Sequence, residues 1–216
     1  MAKYPTVGDV KTRLGETIGY EEATKFYKCF LKDMVEKVRQ LETPFFIYYT
    51  PDDKEEDLKQ LLGENLKYVP QKGADLGERL YNCFKVSSKM GYPATIALAS
   101  DVPDLPVSLL REAVKKLKVY DSVLGPSSDG GYYLIGLKNQ AVTWKLFHGI
   151  NWSTETVYRE TLDVIEKEAI TLYSLKTWDD VDEITDLLRL ANSNNLDFQI
   201  THTWKYLKAT KTTGNF

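Results

Sequence analysis

Lys11 and Arg13 set two cations on either side of a single residue in the loop Ala2 to Gly15, AKYPTVGDVKTRLG. Pro5 and Gly8 break regular structure there, and a helix-forming stretch, Glu21 to Leu41, follows. A loop whose backbone N–H groups run toward a helix, with a lysine and an arginine beside it, suits a polyphosphate. Loops of this kind normally hang from the C-terminal end of a buried strand. None is evident ahead of this one.

Other constellations could carry chemistry. Asp101 and Asp104 follow the apolar run ATIALA, and two carboxylates three residues apart can meet one hard cation such as Mg²⁺ or Mn²⁺. The plainer account has Asp104 capping the next helix. In Ser127-Ser128-Asp129-Gly130-Gly131 the paired glycines allow close backbone approach, and Asp129 can bind or deprotonate a hydroxyl. An Asp-Gly turn between strands explains the same residues. The stretch Gln71 to Arg79 places Gly73, Asp75 and Arg79 at a loop-to-helix junction, either as a binding wall or as Asp75 capping the helix. Trp178-Asp179-Asp180-Val181-Asp182 offers a further metal ligand, or acids set against a helix dipole. His148 and His202 stand alone, suited to surface or packing roles.

These residues need elements to hold them. Apolar positions at Ala23, Phe26, Tyr27, Phe30, Met34, Val38 and Leu41 repeat with a helical period. Strands are expected at Phe45 to Thr50, Leu66 to Val69, Ala94 to Ala99, Asp121 to Leu124, Tyr132 to Leu137 and Ala169 to Leu175. Helices are expected at Lys54 to Leu62, Leu76 to Met90, Val107 to Leu117, Ser153 to Glu168 and Val181 to Asn192. This alternation predicts a three-layer α/β/α fold on a mostly parallel mixed sheet, with ligands outside the carboxyl ends of the strands. A single domain over residues 1–208 is expected, then a frayed polar tail from 209 to 216.

The chain has 216 residues, 43% of them hydrophobic and 27% charged, the composition of a globular protein. A net charge of −3 argues against a nucleic-acid-binding surface spread over the molecule. Cys29 and Cys83 lack any CxxC or histidine companion, which fits buried thiols in a reducing compartment. No apolar run is long enough to span a membrane and no signal peptide is evident, so a cytoplasmic protein is expected. Tyr48, Tyr49 and Trp204 look exposed, and aromatic content allows a homodimer without requiring one.

Taken in order, AKYPTVGDVKTRL, QKGADLGERL, SDVPDLP, LGPSSDGGYYLIGL, LFHGINWSTETV and WDDVDEITDLLRL resemble a bacterial and archaeal family known as radical-SAM/selenodomain-associated transferases or as glycosyltransferases. That family is similar to phospholactate guanylyltransferase and, more distantly, to the nucleotide-diphospho-sugar transferase (GT-A-like) superfamily. The resemblance runs to about Leu190. It implies a metal-dependent transferase that takes a nucleotide-sugar or nucleoside triphosphate and passes a glycosyl or nucleotidyl group to a small acceptor. It implies catalytic roles for Asp129, Lys11 and Arg13, and a nucleotide or substrate site of Gly8, Lys11, Arg13, Gln71, Gly73, Asp75, Arg79, Gly130 and Gly131. The metal, Mg²⁺ or Mn²⁺, falls to Asp101, Asp104 and Asp182. Family members usually begin with a short hydrophobic strand, which is expected to be missing here. A nucleotide-binding module without turnover is the alternative.

Overall fold

A computed structural model describes residues 1–212. In chain order the elements are β1 (Ala2–Lys3), α1 (Thr12–Ile18), α2 (Tyr20–Arg39), β2 (Phe46–Thr50), α3 (Glu55–Leu62), β3 (Lys67–Pro70), α4 (Leu76–Lys89), β4 (Ala94–Leu98), α5 (Val107–Lys116), β5 (Ser122–Pro126), β6 (Tyr132–Lys138), α6 (Val157–Lys167), β7 (Leu172–Ser174), α7 (Ile184–Ala191) and α8 (His202–Thr212). The architecture is α/β, with strands in the orders β1-β2-β3 and β4-β6-β5-β7. Because β6 is antiparallel to both β4 and β5, while β7 is parallel to β5, only β6 runs against its sheet. The mixed, mostly parallel character follows.

The chain divides into two compact units. One comprises Met1, Pro70–Ala99 and Ser108–Asp179. Its core packs Leu80 and Phe84 of α4 with Ala97, Leu124, Ile135 and Leu137 of the sheet and Ile165 of α6. The other comprises Ala2–Val69, Ser100–Val107 and the chain from Asp180 onward. Its core is the apolar stripe of α2, with Ala23, Phe26, Tyr27, Phe30 and Leu31 against Leu14, Tyr49, Leu58, Leu187 and Leu207. Each large apolar side chain buried there contributes roughly 1.5–3 kcal/mol, which is why this stripe fixes how the helix sits.

The strand expected to be missing ahead of the basic loop is present in short form. Ala2 pairs with Tyr49 and Lys3 with Thr50, parallel to β2, so the loop does leave the end of a strand. Helix α1 was not legible, because Gly15 lies inside it and Gly19 ends it at φ 90°. Helix α8 also lay beyond the periodic segments; it absorbs Ala209 to Thr212, and the rest of the expected tail lies outside the described residues. Tyr48 and Tyr49 are buried, not exposed. Neighbouring strand residues face opposite ways, so burial of both means β2 is covered on both sides. Among the described residues no helix is long and apolar enough to cross a membrane, and neither cysteine forms a disulfide.

Candidate functional site

Lys11 is the residue before α1, with a left-handed backbone at φ 47°. Its side chain is only 7% exposed, and Nζ donates to Asp101 Oδ2 at 2.6 Å and to Asp180 Oδ2 at 3.4 Å. Asp182 Oδ1 stands 3.6 Å away. Three carboxylates thus surround one ammonium. Burial alone would pull the lysine pKa down, but Asp101, Asp180 and Asp182 override it and hold the group above its ordinary value. A buried cation keeps its charge only with partners of this kind. Arg13, the second residue of α1 and 70% exposed, donates from Nη1 to Asp182 Oδ2 at 3.1 Å.

The segments carrying these acids are fixed by the backbone. Val181 N–H donates to the Asp101 carbonyl at 3.0 Å, tying the loop after residue 99 to the run that precedes α7. Tyr27 of α2 receives the Lys3 N–H and shares a 2.9 Å hydrogen bond with Ser100, next to Asp101. Burial, with the Asp101 charge, pushes the Tyr27 phenol up, so it stays neutral and able to donate. Helix α7 opens with a capping box between Glu183 and Asp186, and Asp186 also receives the Asp182 N–H. Cap duty therefore falls to Glu183 and Asp186, and the Asp182 carboxylate is directed to Lys11 and Arg13.

The structure distributes the remaining expected residues differently. Asp104 is buried and accepts from Arg189 Nη1 at 2.8 Å, while Asp180 takes a place beside Asp101 and Asp182. The i, i+2 spacing of Asp180 and Asp182 around the buried Val181 carried this signal, since alternate residues of an extended run share a side. Gly8 turns the basic loop at φ 83° in open space.

In the other unit, Asp129 is exposed. Its Oδ1 accepts from Ser127 Oγ and, at 2.9 Å, from the Gly131 N–H. The carboxylate is thereby oriented on its own turn. Gly130 has φ 86°, and a Cβ there would run into the Glu155 carbonyl. On the segment before α4, Asp75 Oδ1 receives the Glu78 N–H at 2.8 Å and Glu78 Oε2 receives the Ala74 N–H at 2.8 Å. This is a reciprocal helix cap. Arg79 Nε donates to the Gly73 carbonyl at 3.1 Å, and Gly73 has φ 146° with no room for a side chain. Gln71 lies half-buried on the same segment.

One further cluster escaped the sequence. His202 Nε2 is 2.9 Å from Glu36 Oε1, and Asp33 joins them closely enough for the three to share an ion. Both Asp33 oxygens, however, already accept N–H groups at the start of α8, from His202 at 2.7 Å and Thr203 at 2.9 Å. The cluster serves as the end cap of that helix.

Comparison with known proteins agrees with this fold. Residues 34–154 match the family described as "Uncharacterized protein conserved in bacteria (DUF2064)". A crystal structure of a candidate nucleotide-diphospho-sugar transferase from Desulfovibrio desulfuricans G20 is 34% identical, with a TM-score of 0.93, covering 98% of this chain and 93% of that one. A cytidylyltransferase from Leptospira borgpetersenii is 12% identical, TM-score 0.54, covering 86% and 84% of the two chains. The 4-diphosphocytidyl-2C-methyl-D-erythritol synthase of Anaerococcus prevotii is 9% identical, TM-score 0.57, covering 74% and 86%. The last two share the fold alone. Among curated proteins, none matches. With the family model and a relative aligned over nearly its full length in agreement, this chain belongs to the DUF2064 family, with a nucleotide-diphospho-sugar transferase-like fold.

Proposed function

We propose that the chain is a nucleotide-binding transferase, passing a glycosyl or nucleotidyl group from a nucleotide-sugar or nucleoside triphosphate to a small acceptor. The observation that carries this reading is the convergence of Lys11 and Arg13 with Asp101, Asp180 and Asp182 at a loop-to-helix junction. Cations on a loop entering a helix bind polyphosphate, and hard carboxylate oxygens suit Mg²⁺ or Mn²⁺. The description of the 34% identical relative points the same way. When bound, the divalent ion supplies Lewis-acid stabilisation of charge on the phosphates.

The residues have separable roles. Lys11 and Arg13 neutralise charge on the departing diphosphate or pyrophosphate. Asp129 receives the proton of an acceptor hydroxyl as its oxygen forms the new bond to phosphorus or to the anomeric carbon. The bond to the leaving group breaks in the same step, and the electron pair departs with the phosphate oxygen. A phosphate acceptor needs no base, and positioning then supplies most of the rate. Gly8, Gly130 and Gly131 let the backbone approach the ligands closely, and Gln71, Gly73, Asp75 and Arg79 shape the nucleotide or acceptor side through the rigid turn before α4. Asp104, held by Arg189, steadies the loop that carries Asp101, and the protein works in the cytoplasm.

The test is a panel of nucleoside triphosphates and nucleotide-sugars with Mg²⁺ or Mn²⁺, followed by thermal shift and by release of pyrophosphate or diphosphate. Donor-dependent stabilisation and product release, both weakened in Asp101→Asn, are expected. Stabilisation by a nucleotide without turnover of any donor would instead favour a binding module. No response to any nucleotide, with or without metal, would overturn the reading.

A further inference from the structure

We propose that Lys11 is a tethered cation that exchanges with the divalent ion at Asp101, so that binding of the ion releases the lysine toward the donor phosphates. This rests on the nucleotide-dependent reading above and adds an order of events to it. Lys11 Nζ already occupies the cation position of the cluster, with Asp101, Asp180 and Asp182 at 2.6, 3.4 and 3.6 Å. Mg²⁺ takes oxygens at about 2.0–2.1 Å, shorter than any of these contacts. Among the described residues, Asp33, Glu36 and His202 form the group whose ligand atoms all lie within 4.8 Å of one another. The three aspartates are instead gathered around the ammonium.

An ammonium and a divalent ion cannot both sit against Asp101 Oδ2, because like charges at a few Å repel strongly where water is scarce. The frame permits the exchange. Asp101 and the Asp180–Asp182 run are joined through the Val181 N–H and the Asp101 carbonyl, so the backbone holds the carboxylates on one side of Lys11 with or without the ammonium between them. Lys11 is anchored at the very start of α1, and its four-carbon stem can swing while its backbone stays in place. A lysine released in this way is a fresh phosphate partner, so ion and donor favour each other's binding, a reciprocal coupling.

The experiment follows Mn²⁺ binding by the loss of its free-ion EPR signal, without nucleotide, in the full chain. Lys11→Met is expected to bind Mn²⁺ at least about tenfold more tightly than the wild type, equivalent to about 1.4 kcal/mol. Adding Asp101→Asn abolishes that gain. Lys25→Met removes the same charge from an exposed lysine paired with Glu22 on α2 and changes affinity less than about threefold, about 0.6 kcal/mol. A second arm uses only the wild type, so folding of the variant cannot obscure the result. Acetylation of Lys11 by a water-soluble amine reagent, read by peptide mass spectrometry, rises several-fold when Mn²⁺ is added. Unchanged labelling at saturating Mn²⁺, or a folded Lys11→Met that binds Mn²⁺ no more tightly, overturns the exchange. Either result can coexist with donor-dependent turnover, whereas absence of any nucleotide response sinks the transferase reading whatever Mn²⁺ does.

Discussion

Lys11 Nζ lies 2.6 Å from Asp101 Oδ2, a bond joining residues ninety positions apart in sequence. It places the basic loop and the acid of the loop after residue 99 in one electrostatic unit.

Asp101→Asn leaves the Lys11 ammonium buried with its nearest charge gone. Asp180 and Asp182 remain within 3.6 Å, so the loss is partial. We expect destabilisation of about 2 kcal/mol at neutral pH, read from urea unfolding. A shift under about 0.5 kcal/mol would mean that the pair is screened like a surface bridge.

Arg13 is 70% exposed and pairs with Asp182 at the surface. Its replacement by Ala should leave stability within about 0.5 kcal/mol, yet weaken nucleotide affinity about tenfold, measured by calorimetry. Unaltered affinity would remove Arg13 from the phosphate site.

Asp129→Asn preserves the acceptor oxygen used by Ser127 and Gly131 while deleting the charge. With a hydroxyl acceptor, turnover should fall by about 10²–10⁴. With a phosphate acceptor it should hardly change. Equal losses for both would make Asp129 a binding group and not a base.

Gly130→Ala combines φ 86° with a steric conflict at Glu155, whereas Gly149 has φ 77° and open space around it. Gly149→Ala should cost about 1 kcal/mol for the left-handed backbone alone, and Gly130→Ala clearly more, about 2 kcal/mol or above. Thermal or urea unfolding of the two variants side by side decides it.

Alkaline titration offers a pH test. Burial and the Glu55 carboxylate push Tyr49 up to about 12, and burial, with Glu112, does the same to Tyr133. A phenol whose folded pKa is raised contributes stability that is full below the unfolded value of about 10. That stability is lost as pH rises toward 12. Absorbance at 295 nm should therefore show one group of tyrosines ionising near 10 and a second only together with unfolding. A single transition near 10 would refute the burial of these phenols.

The regular elements were legible because their signals are local. The stripe from Ala23 to Phe30 marks α2, and the β-branched and aromatic run at 45–50 marks β2 within one residue. Helix α1 escaped since Gly15 inside it reads as a breaker; the structure keeps it because a Cβ at that position would meet the Tyr20 ring. From sequence, Asp75 reads first as a helix cap and second as a ligand, and in the structure its Oδ1 caps α4.

By itself, the sequence determined an α/β chain with a cationic loop at its start and acids in the loops after residue 99 and before α7. Periodicity and turn chemistry act over a few residues, and that is enough for such statements. Only the tertiary structure decided which acids meet the lysine. Asp180 joined Asp101 and Asp182 at Lys11, Asp104 went to Arg189, and His202 found Glu36. Those choices depend on distances between segments about 170 residues apart in sequence, and no local pattern encodes them. What fixes them is the packing of α2 against its neighbours and the backbone bond from Val181 to Asp101.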